Sequence, residues 1–543
     1  MARSEFPHTA DDADNQPPPR PERDLWGADA ALRSAFDHMP QDATGLAELA
    51  RRLGTAQAAS AARAANRHPP ELRTRDRAGR RRDEVLFHPA YHDFLRLGLE
   101  AGYAARAWEE APGGHLAHAA MVYLHSQVEP GSCCPMTMTY AAVPALAPEP
   151  ALAARWRPKL CARAYDPAQA PLSAKGAATM GMAMTERRGG SDLRGTETRA
   201  EADGDAWRLS GEKWFCSAPM SDGFLTLARA PGGLTCFVVP RWLEDGSRNA
   251  IHLLGLKDKL GNRSNASAEI EYARAFAERL GEEGDGIRTI LTMVHHTRLD
   301  TAMAPAGLMR AALDEAWWWC AHRSAFQRRL IDQPLMRAVL ADLTLDWEAA
   351  LALGLRVARA FDAGEAEVDR AFARISVALA KFLANKRCPV VVGEAMEVLG
   401  GMGYVEDTPM PLLYREAPLN AIWEGSGNVI CLDVLRTLAR VPLAAEALDG
   451  ELDSARGADR RYDAALEAHR ARWPDLPAEA EARWFTERLA MLLSAAQLLR
   501  IAPAAVADGY VATRVDGARG AVAGAVSGLD SAAILARLDD AAG

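Results

Sequence analysis

The hydrophobic pattern of this chain changes period twice, and those two changes constrain its fold more than any single residue does. Up to about residue 178 the sequence is rich in alanine and leucine, and Asp42–Asn66 and His115–Gln127 carry helical spacing. Pro135, Pro144, Pro148 and Pro150 punctuate the end of this region. Near residue 180 the pattern shortens. Trp207–Gly211, Phe224–Ala228 and Leu234–Pro240 are β-type runs separated by glycine and proline turns. From Gly286 the helical period returns, with Thr297–His322 and Met336–Ala360 as the clearest stretches. The expected architecture is a multidomain α+β protein: a flexible N-terminal arm over 1–24, a helical domain over 25–178, a small β domain over 179–283, a helical bundle over 284–440 and an appended helical domain over 441–543. A length of 543 residues agrees with three or four cores rather than one.

Composition narrows the functional classes. The formal net charge of −9 is unlike that of a general polyanion binder. Eight scattered cysteines form neither a zinc spacing nor a disulfide scaffold, which suits a reducing interior. The first residues hold acids and prolines instead of an apolar leader, and no run of eighteen apolar residues occurs, so a soluble cytoplasmic protein without membrane contact is expected. No strand is followed by a GxGxxG turn, and Gly211-Glu-Lys213 lacks the earlier glycine of a phosphate loop. Nicotinamide and ATP chemistry are therefore disfavoured. His295-His296 is adjacent rather than one helical turn apart, so no metal site is expected.

Two segments carry the chemistry. Met184-Thr-Glu-Arg-Arg-Gly-Gly-Ser-Asp-Leu193 combines a hydroxyl, a Gly-Gly turn and a Ser-Asp pair, which suits backbone wrapped around a flat or phosphorylated ligand. Ile422-Trp-Glu-Gly-Ser-Gly-Asn428 offers one carboxylate, Glu424, on a glycine turn beside apolar residues. A lone carboxylate in an apolar wall makes a general base of raised pKa. The same residue also reads as a helix-start or salt-bridged acid without chemistry. At this separation the pair resembles the flavin and base elements of the acyl-CoA dehydrogenase family. Gly211–Ser217 is similar to that family's second flavin strand, Arg323–Leu343 to its dimer and cofactor helix, and Glu397–Tyr404 to its glycine turn near the flavin adenine. Within the family the AidB branch, flavoproteins associated with the adaptive response to DNA alkylation, is the nearest in wording. The shared words are Arg73–Arg77, Phe87–His92, Cys134–Thr139, His296–Asp300 and Tyr414–Glu424.

The resemblance implies a helical domain, a small antiparallel β-barrel or sheet, a four-helix bundle and bound FAD. It implies that Met182, Met184, Thr185, Gly190, Ser191, Trp214 and Ser217 meet the flavin, its ribityl chain or its phosphates. Arg323, Phe326 and Gln333 would meet the cofactor across a subunit interface, with Glu397, Gly400 and Gly401 at the glycine turn and Gly425, Ser426 and Asn428 beside the ring. The sequence departs from the family at Gln327, where a glycine is usual. Glu424 would remove the α-proton of an acyl-CoA, with its neighbours Ile422 and Trp423 desolvating it. The bulky run Trp317-Trp318-Trp319 reads either as bundle core or as an obstacle to coenzyme A.

The implied partners are a homotetramer built as a dimer of dimers, an acyl-CoA, an electron-transfer flavoprotein and double-stranded DNA. For DNA the charge is adverse, since 441–543 holds 11 arginines and no lysine against 16 acids, a net of −5. A local stripe of Arg456, Arg460, Arg461, Arg483, Arg488, Arg514 and Arg519 is the candidate contact, with the basic run Arg67–Arg82 as a second.

Overall fold

The computed structural model describes residues 15–37, 40–363 and 366–538. Most of the expected arm, residues 1–14, lies outside the described residues, as do 539–543. From Asn15 to Arg23 the chain forms a strap across its own bundle. The Asn15 amide donates to Ser324 O at 2.8 Å, and Arg20 and Arg23 pair with Glu315 and Asp314 at 2.6 and 3.1 Å.

The single helix expected over 42–66 is two helices, Pro40–Leu53 and Ala56–Arg67. The break is set by the strap. Arg23 N donates to Gly54 O at 2.9 Å, and a Cβ at residue 54 would lie 1.8 Å from Arg23 O. Only glycine permits that approach. Thr55 then starts the next helix by accepting from Ala58 N at 3.1 Å. The basic run is neither a helix nor a coil. It forms a hairpin of β1 (Glu71–Arg75) and β2 (Arg81–Leu86), closed where Asp76 Oδ1 accepts from Ala78 N and Arg80 N. Its period-two pattern is hard to see because charged residues, Glu71, Arg73, Arg75 and Arg82, occupy most of the exposed positions. Helices Pro89–Ala101, Gly114–Ser126, Cys133–Ala145 and Pro150–Leu160 complete this half.

The middle of the chain is a twisted, closed sheet of β3 (Met180–Ala183), β4 (Arg199–Asp203), β5 (Ala206–Ser217), β6 (Gly223–Ala230), β7 (Gly233–Pro240), β8 (Ile251–Leu256) and β9 (Ser267–Leu280). Antiparallel ladders join β4–β5, β5–β9, β9–β7 and β7–β6, and one parallel bridge, Arg199 to Arg229, closes the ring. β3 lies parallel to β6, and β8 is antiparallel to β9. Inward residues such as Leu209, Phe224, Phe237, Ile270 and Tyr272 fill the barrel with a core of its own.

Three long antiparallel helices complete the bundle, Gly286–His322, Pro334–Asp362 and Glu367–Val398, joined by Gly427–Arg440. Helices Pro442–Asp453, Ala482–Ile501 and Ala504–Tyr510 pack on the second and third of these, and Arg460–Arg472 packs on Ala482–Ile501. One apolar cluster runs through the N-terminal helices, the bundle and these last helices. Trp319 is buried in it and Trp317 packs against it, so these two are bundle core, while Trp318 lies half-buried against His322 and Arg20 of the strap. Among the described residues, no helix is long and apolar enough to cross a membrane.

Replacing Gly54 with alanine is expected to lower stability by roughly 1–3 kcal/mol, the usual range for overpacking. Thermal unfolding reads this out, and the strap at residues 15–24 should become protease-sensitive.

Candidate active site

Glu424 sits on a turn whose backbone is held from two helices. Lys381 Nζ, from the Glu367–Val398 helix, donates to Asn420 O and Gly425 O at 2.9 Å each. Arg298 Nε, from the Gly286–His322 helix, donates to Glu424 O at 3.2 Å. Arg298 is itself fixed by Asp433 at 2.6 Å, and Arg374 grips the same carboxylate with a two-pronged contact at 3.0 and 2.8 Å. Glu424 has φ of 54°, a left-handed conformation costing a non-glycine residue about 1–2 kcal/mol. The clamp offsets that strain.

The Glu424 side chain is half-buried, and burial raises its pKa above the ordinary carboxylate value. A hydrogen bond with Thr297 and the charges of Lys381 and Arg298 act in the opposite direction. Burial pushes Lys381 down to about 7, with Glu424 the main influence restoring it. The expected desolvation by Ile422 is not what the structure shows. The turn reverses there, leaving Ile422 65 % exposed, and only Trp423 packs inward. The groups that act on the acid come instead from distant helices, Thr297, Arg298 and Asp300 from one and Lys381 from another.

Cys134 joins this acid to the barrel. Its thiol is hydrogen-bonded with Ser217 at the end of β5 and lies within the field of Glu424, while burial raises its pKa to about 12. Ser217 Oγ is also 3.2 Å from Ser267 Oγ. Alongside, Met182 and Met184 are half-buried, and Trp214 N donates to Thr185 O at 2.7 Å, which ties the two expected flavin segments together. A buried pair, Lys213 and Glu186 at 2.7 Å, locks them further. Gly190 is required locally, because a Cβ there would stand 2.3 Å from Thr185 Oγ1. Ser191 is exposed on the same turn. The Trp214 indole already has two cations against it, Lys257 Nζ at 3.5 Å and the Arg187 guanidinium at 4.8 Å from the ring centroid. A planar ligand stacking on it must displace one of them.

One helical turn past Thr297, Asp300 gives the site a polar floor. It meets His118 Nε2 at 2.7 Å, Thr137 Oγ1 at 2.5 Å and Tyr103 OH at 3.3 Å. Thr137 is the one half-exposed residue in the otherwise buried stretch 133–145 outside Pro144. His295 and His296 pack with Phe361, and burial pushes His296 down to about 4 and His295 well below the ordinary histidine value. Both are neutral packing groups. Among the described residues, no group of three metal-ligating side chains is assembled.

Of the remaining cofactor candidates, Gly425 and Ser426 continue the Glu424 turn, and exposed Asn428 accepts from Arg483 at 2.9 Å. Arg323 ends the Gly286–His322 helix, 26 residues or about 39 Å beyond Thr297 at 1.5 Å per residue. It donates to Asn15 O at 3.0 Å, and Gln333 Nε2 donates to Ala325 O at 2.9 Å. Phe326, 94 % exposed, tips the two-residue ladder between them at φ of 53°, followed by Gln327 at φ of 64°. Glu397, Gly400 and Gly401 are exposed at the end of the Glu367–Val398 helix, about 24 Å beyond Lys381. One chain therefore does not bring the two groups of candidates together.

The arginines of the last segment do not form a stripe. Arg456 pairs with Asp453 and Glu467, and Arg461 with Asp459 and Asp508. Arg483 bonds Asn428, and Arg488 donates to Val515 O. Arg514 is buried between Asp342 and Asp346, and Arg519 also reaches Asp342. Arg460 is exposed. In the β1–β2 hairpin, Arg73, Arg80 and Arg81 face Glu84, Asp76 and Asp83.

Comparison with known proteins agrees with this geometry. Residues 15–167 match the adaptive response protein AidB N-terminal domain, 181–275 the acyl-CoA dehydrogenase middle domain and 284–439 the acyl-CoA dehydrogenase C-terminal domain. The AidB protein of Escherichia coli (strain K12) is 44 % identical over 92 % of this chain and 94 % of its own length. The chain belongs to the acyl-CoA dehydrogenase family, in its AidB branch. Acyl-CoA dehydrogenase family member 11 of Caenorhabditis elegans is 34 % identical over 69 % of this chain and 64 % of its own. The crystal structure of Caenorhabditis elegans ACDH-11 in complex with C11-CoA superposes with a TM-score of 0.82, at 27 % identity, over 95 % of this chain and 94 % of that one. Members of the acyl-CoA dehydrogenase family are typically FAD-binding flavoproteins.

In the sequence, His296–Asp300 and Cys134–Thr139 are legible only as words of the branch. The structure gives those words a use, since Thr297, Arg298, Asp300 and Cys134 act on the acid and Thr137 bonds Asp300. Lys381, which clamps the turn, has no signal beyond being a lysine in an apolar helix. Replacing Lys381 with methionine removes a positive charge beside Glu424. The carboxyl titration, followed by infrared difference spectroscopy, is expected to move to higher pH.

Proposed function

We propose that this chain is an FAD-dependent oxidoreductase that withdraws the α-proton of an acyl-CoA with Glu424. The observation that supports it best is the common neighbour Cys134, which bonds Ser217 on the barrel and feels the Glu424 charge from the bundle. The acid thus stands across from the edge formed by Met182–Thr185, Trp214 and Ser217. That edge suits a flavin: Met182 and Met184 are half-buried apolar surface, and Thr185 and Ser217 add hydroxyls at a domain boundary. Bound flavin would supply the hydride acceptor. Every other requirement falls on the protein. The raised pKa strengthens Glu424 as a base near neutral pH, and Thr297 orients it. Arg298 and Lys381 hold its backbone so that the carboxylate cannot swing away. The acyl group would lie over Thr137 and the Asp300 floor. The ACDH-11 complex with C11-CoA supports an acyl thioester as the substrate class.

The second group, Arg323, Phe326, Gln333, Glu397, Gly400 and Gly401, would serve a partner subunit's cofactor. Exposed Phe326 and Leu335 at that end suit contact between copies, and a dimer of dimers would follow. An electron-transfer flavoprotein is the matching oxidant. The reading places the working site between the 179–283 and 284–440 domains, with 441–543 as a helical appendage. Duplex DNA is the weaker reading, because acids already occupy Arg456, Arg461, Arg514 and Arg519. A role in the alkylation response rests on the resemblance.

Two measurements test this. The purified protein should show oxidised-flavin absorbance that an acyl-CoA bleaches anaerobically. Glu424→Gln should slow bleaching by about 10²–10⁴-fold with the spectrum otherwise intact. Protein without flavin, or bleaching at an unchanged rate in the variant, ends the proposal. In the wild type the rate should fall as pH drops through the raised Glu424 pKa, since the protonated carboxyl cannot accept a proton. For DNA, a log–log salt slope near zero, instead of about −0.9 per phosphate contacted, would remove that reading.

A further inference from the structure

A cavity of about 280 Å³ is lined by residues next to Ser217 and Cys134 in the chain, but by neither of those two nor by the Glu424 turn. The neighbouring residues Ala218 and Pro135 face into it. The β1–β2 hairpin, the Pro89–Ala101 helix and the segment 165–169 enclose it from the N-terminal side, and residues 218–222 with Arg241 from the barrel side. Its volume falls just below the roughly 300–1,000 Å³ usual for small-molecule pockets.

The walls differ in character. Phe87 and Tyr91, stacked with centroids 4.3 Å apart, form an apolar side together with Leu95 and Met220. The opposite end is polar, and its charges are unevenly matched. Lys175 is saturated: its three donors go to Asp222 at 2.6 Å and to Asp166 O and Ala168 O at 2.8 Å. Asp222 is occupied by Lys175 and by Thr179 N at 2.8 Å. Arg241 is different. Its residue is 6 % exposed, yet no acid lies within ion-pair distance among the described residues. Its side-chain contacts are two long ones, to Asp83 O at 3.3 Å and Gln169 Oε1 at 3.5 Å. The Asp83 carboxylate is turned to Arg81 and Arg248 at 2.7 and 2.5 Å. A guanidinium carries five donors, so several remain unused. Burial lowers the Arg241 pKa to about 10. Beside it, Ser221 is 3 % exposed and its hydroxyl has no partner.

A buried cation with no carboxylate in ion-pair contact, which Asp222, Asp83 and Glu84 reach only from further off, and a buried hydroxyl without a partner are both costly, and both line this cavity. We propose that this cavity is a second ligand site, separate from the Glu424 turn, for a small monocarboxylic acid with an apolar tail. The carboxylate would take the free Arg241 donors and the Ser221 hydroxyl, and the tail would lie along Tyr91, Leu95 and Met220. Glu84 and Asp166 also line the cavity, so a second negative charge on the ligand would be repelled. Monocarboxylates are favoured over dicarboxylates for that reason.

Calorimetric titration of the full-length protein with octanoate at neutral pH tests the proposal without reference to flavin chemistry. Octanoate should bind saturably. Octanol, of the same length without the charge, should bind at least about tenfold more weakly, as should octanoate to Arg241→Gln. Octanedioate should also lose affinity. Glu424→Gln should bind octanoate as the wild type does, so failure of the base assignment and failure of this site are told apart. Equal affinity for octanoate and octanol overturns the proposal, as does unchanged affinity in folded Arg241→Gln, loss of octanoate binding in Glu424→Gln, or no saturable heat. If Arg241→Gln does not fold, the octanoate–octanol comparison on the wild type decides alone.

Discussion

The Lys381 ammonium, buried in the bundle and donating to two carbonyls of one turn, is the contact on which the candidate site depends. A lysine so placed loses most of its hydration, and its lowered pKa records that cost. The compensation is geometric. Together with Arg298 it holds Asn420–Gly425 in a conformation that includes a left-handed glutamate. Without Lys381 the left-handed turn would lose two of the three hydrogen bonds that hold its carbonyls. Burial raises the Glu424 pKa and the same cations act to lower it, so the carboxyl stands between two opposed influences.

Buried ion pairs recur wherever separate parts of the fold meet. Lys213 and Glu186 bind β5 to the turn after β3, and Lys175 with Asp222 anchors the segment leading into the barrel. Arg514 between Asp342 and Asp346, and Arg356 on Glu451, fasten the last helices to the bundle. Such pairs add little net stability compared with apolar packing, but breaking one leaves a buried charge alone. They therefore fix relative placement. They also explain why a segment with 11 arginines presents so little free positive charge. Arg241 departs from this pattern, which is what distinguishes its cavity from the rest of the interior.

Much of the fold is legible in the sequence because period is a local property. The helices at 114–126 and 334–362 and the strands at 223–230 and 233–240 lie close to where the apolar spacing puts them. The misses have physical causes. Helix 42–66 breaks because a strap from residue 23 bonds Gly54, a contact no local pattern encodes. The β1–β2 hairpin is masked by its exposed charged residues. Ile422 faces out because the turn reverses, although it stands beside the acid in the chain.

The sequence by itself determined the order of helical, β and helical regions, the family, and the one acid on a glycine turn, because periodicity and short motifs survive without coordinates. Tertiary structure alone decided what surrounds that acid. Thr297, Arg298, Asp300, Lys381 and Cys134 come from three helices far apart in the chain, and pKa depends on distance through space rather than along sequence. It also decided that Arg323 and Glu424 lie too far apart within one chain to hold the same ring, because about 39 Å of one helix, from Thr297 to its end, separates them.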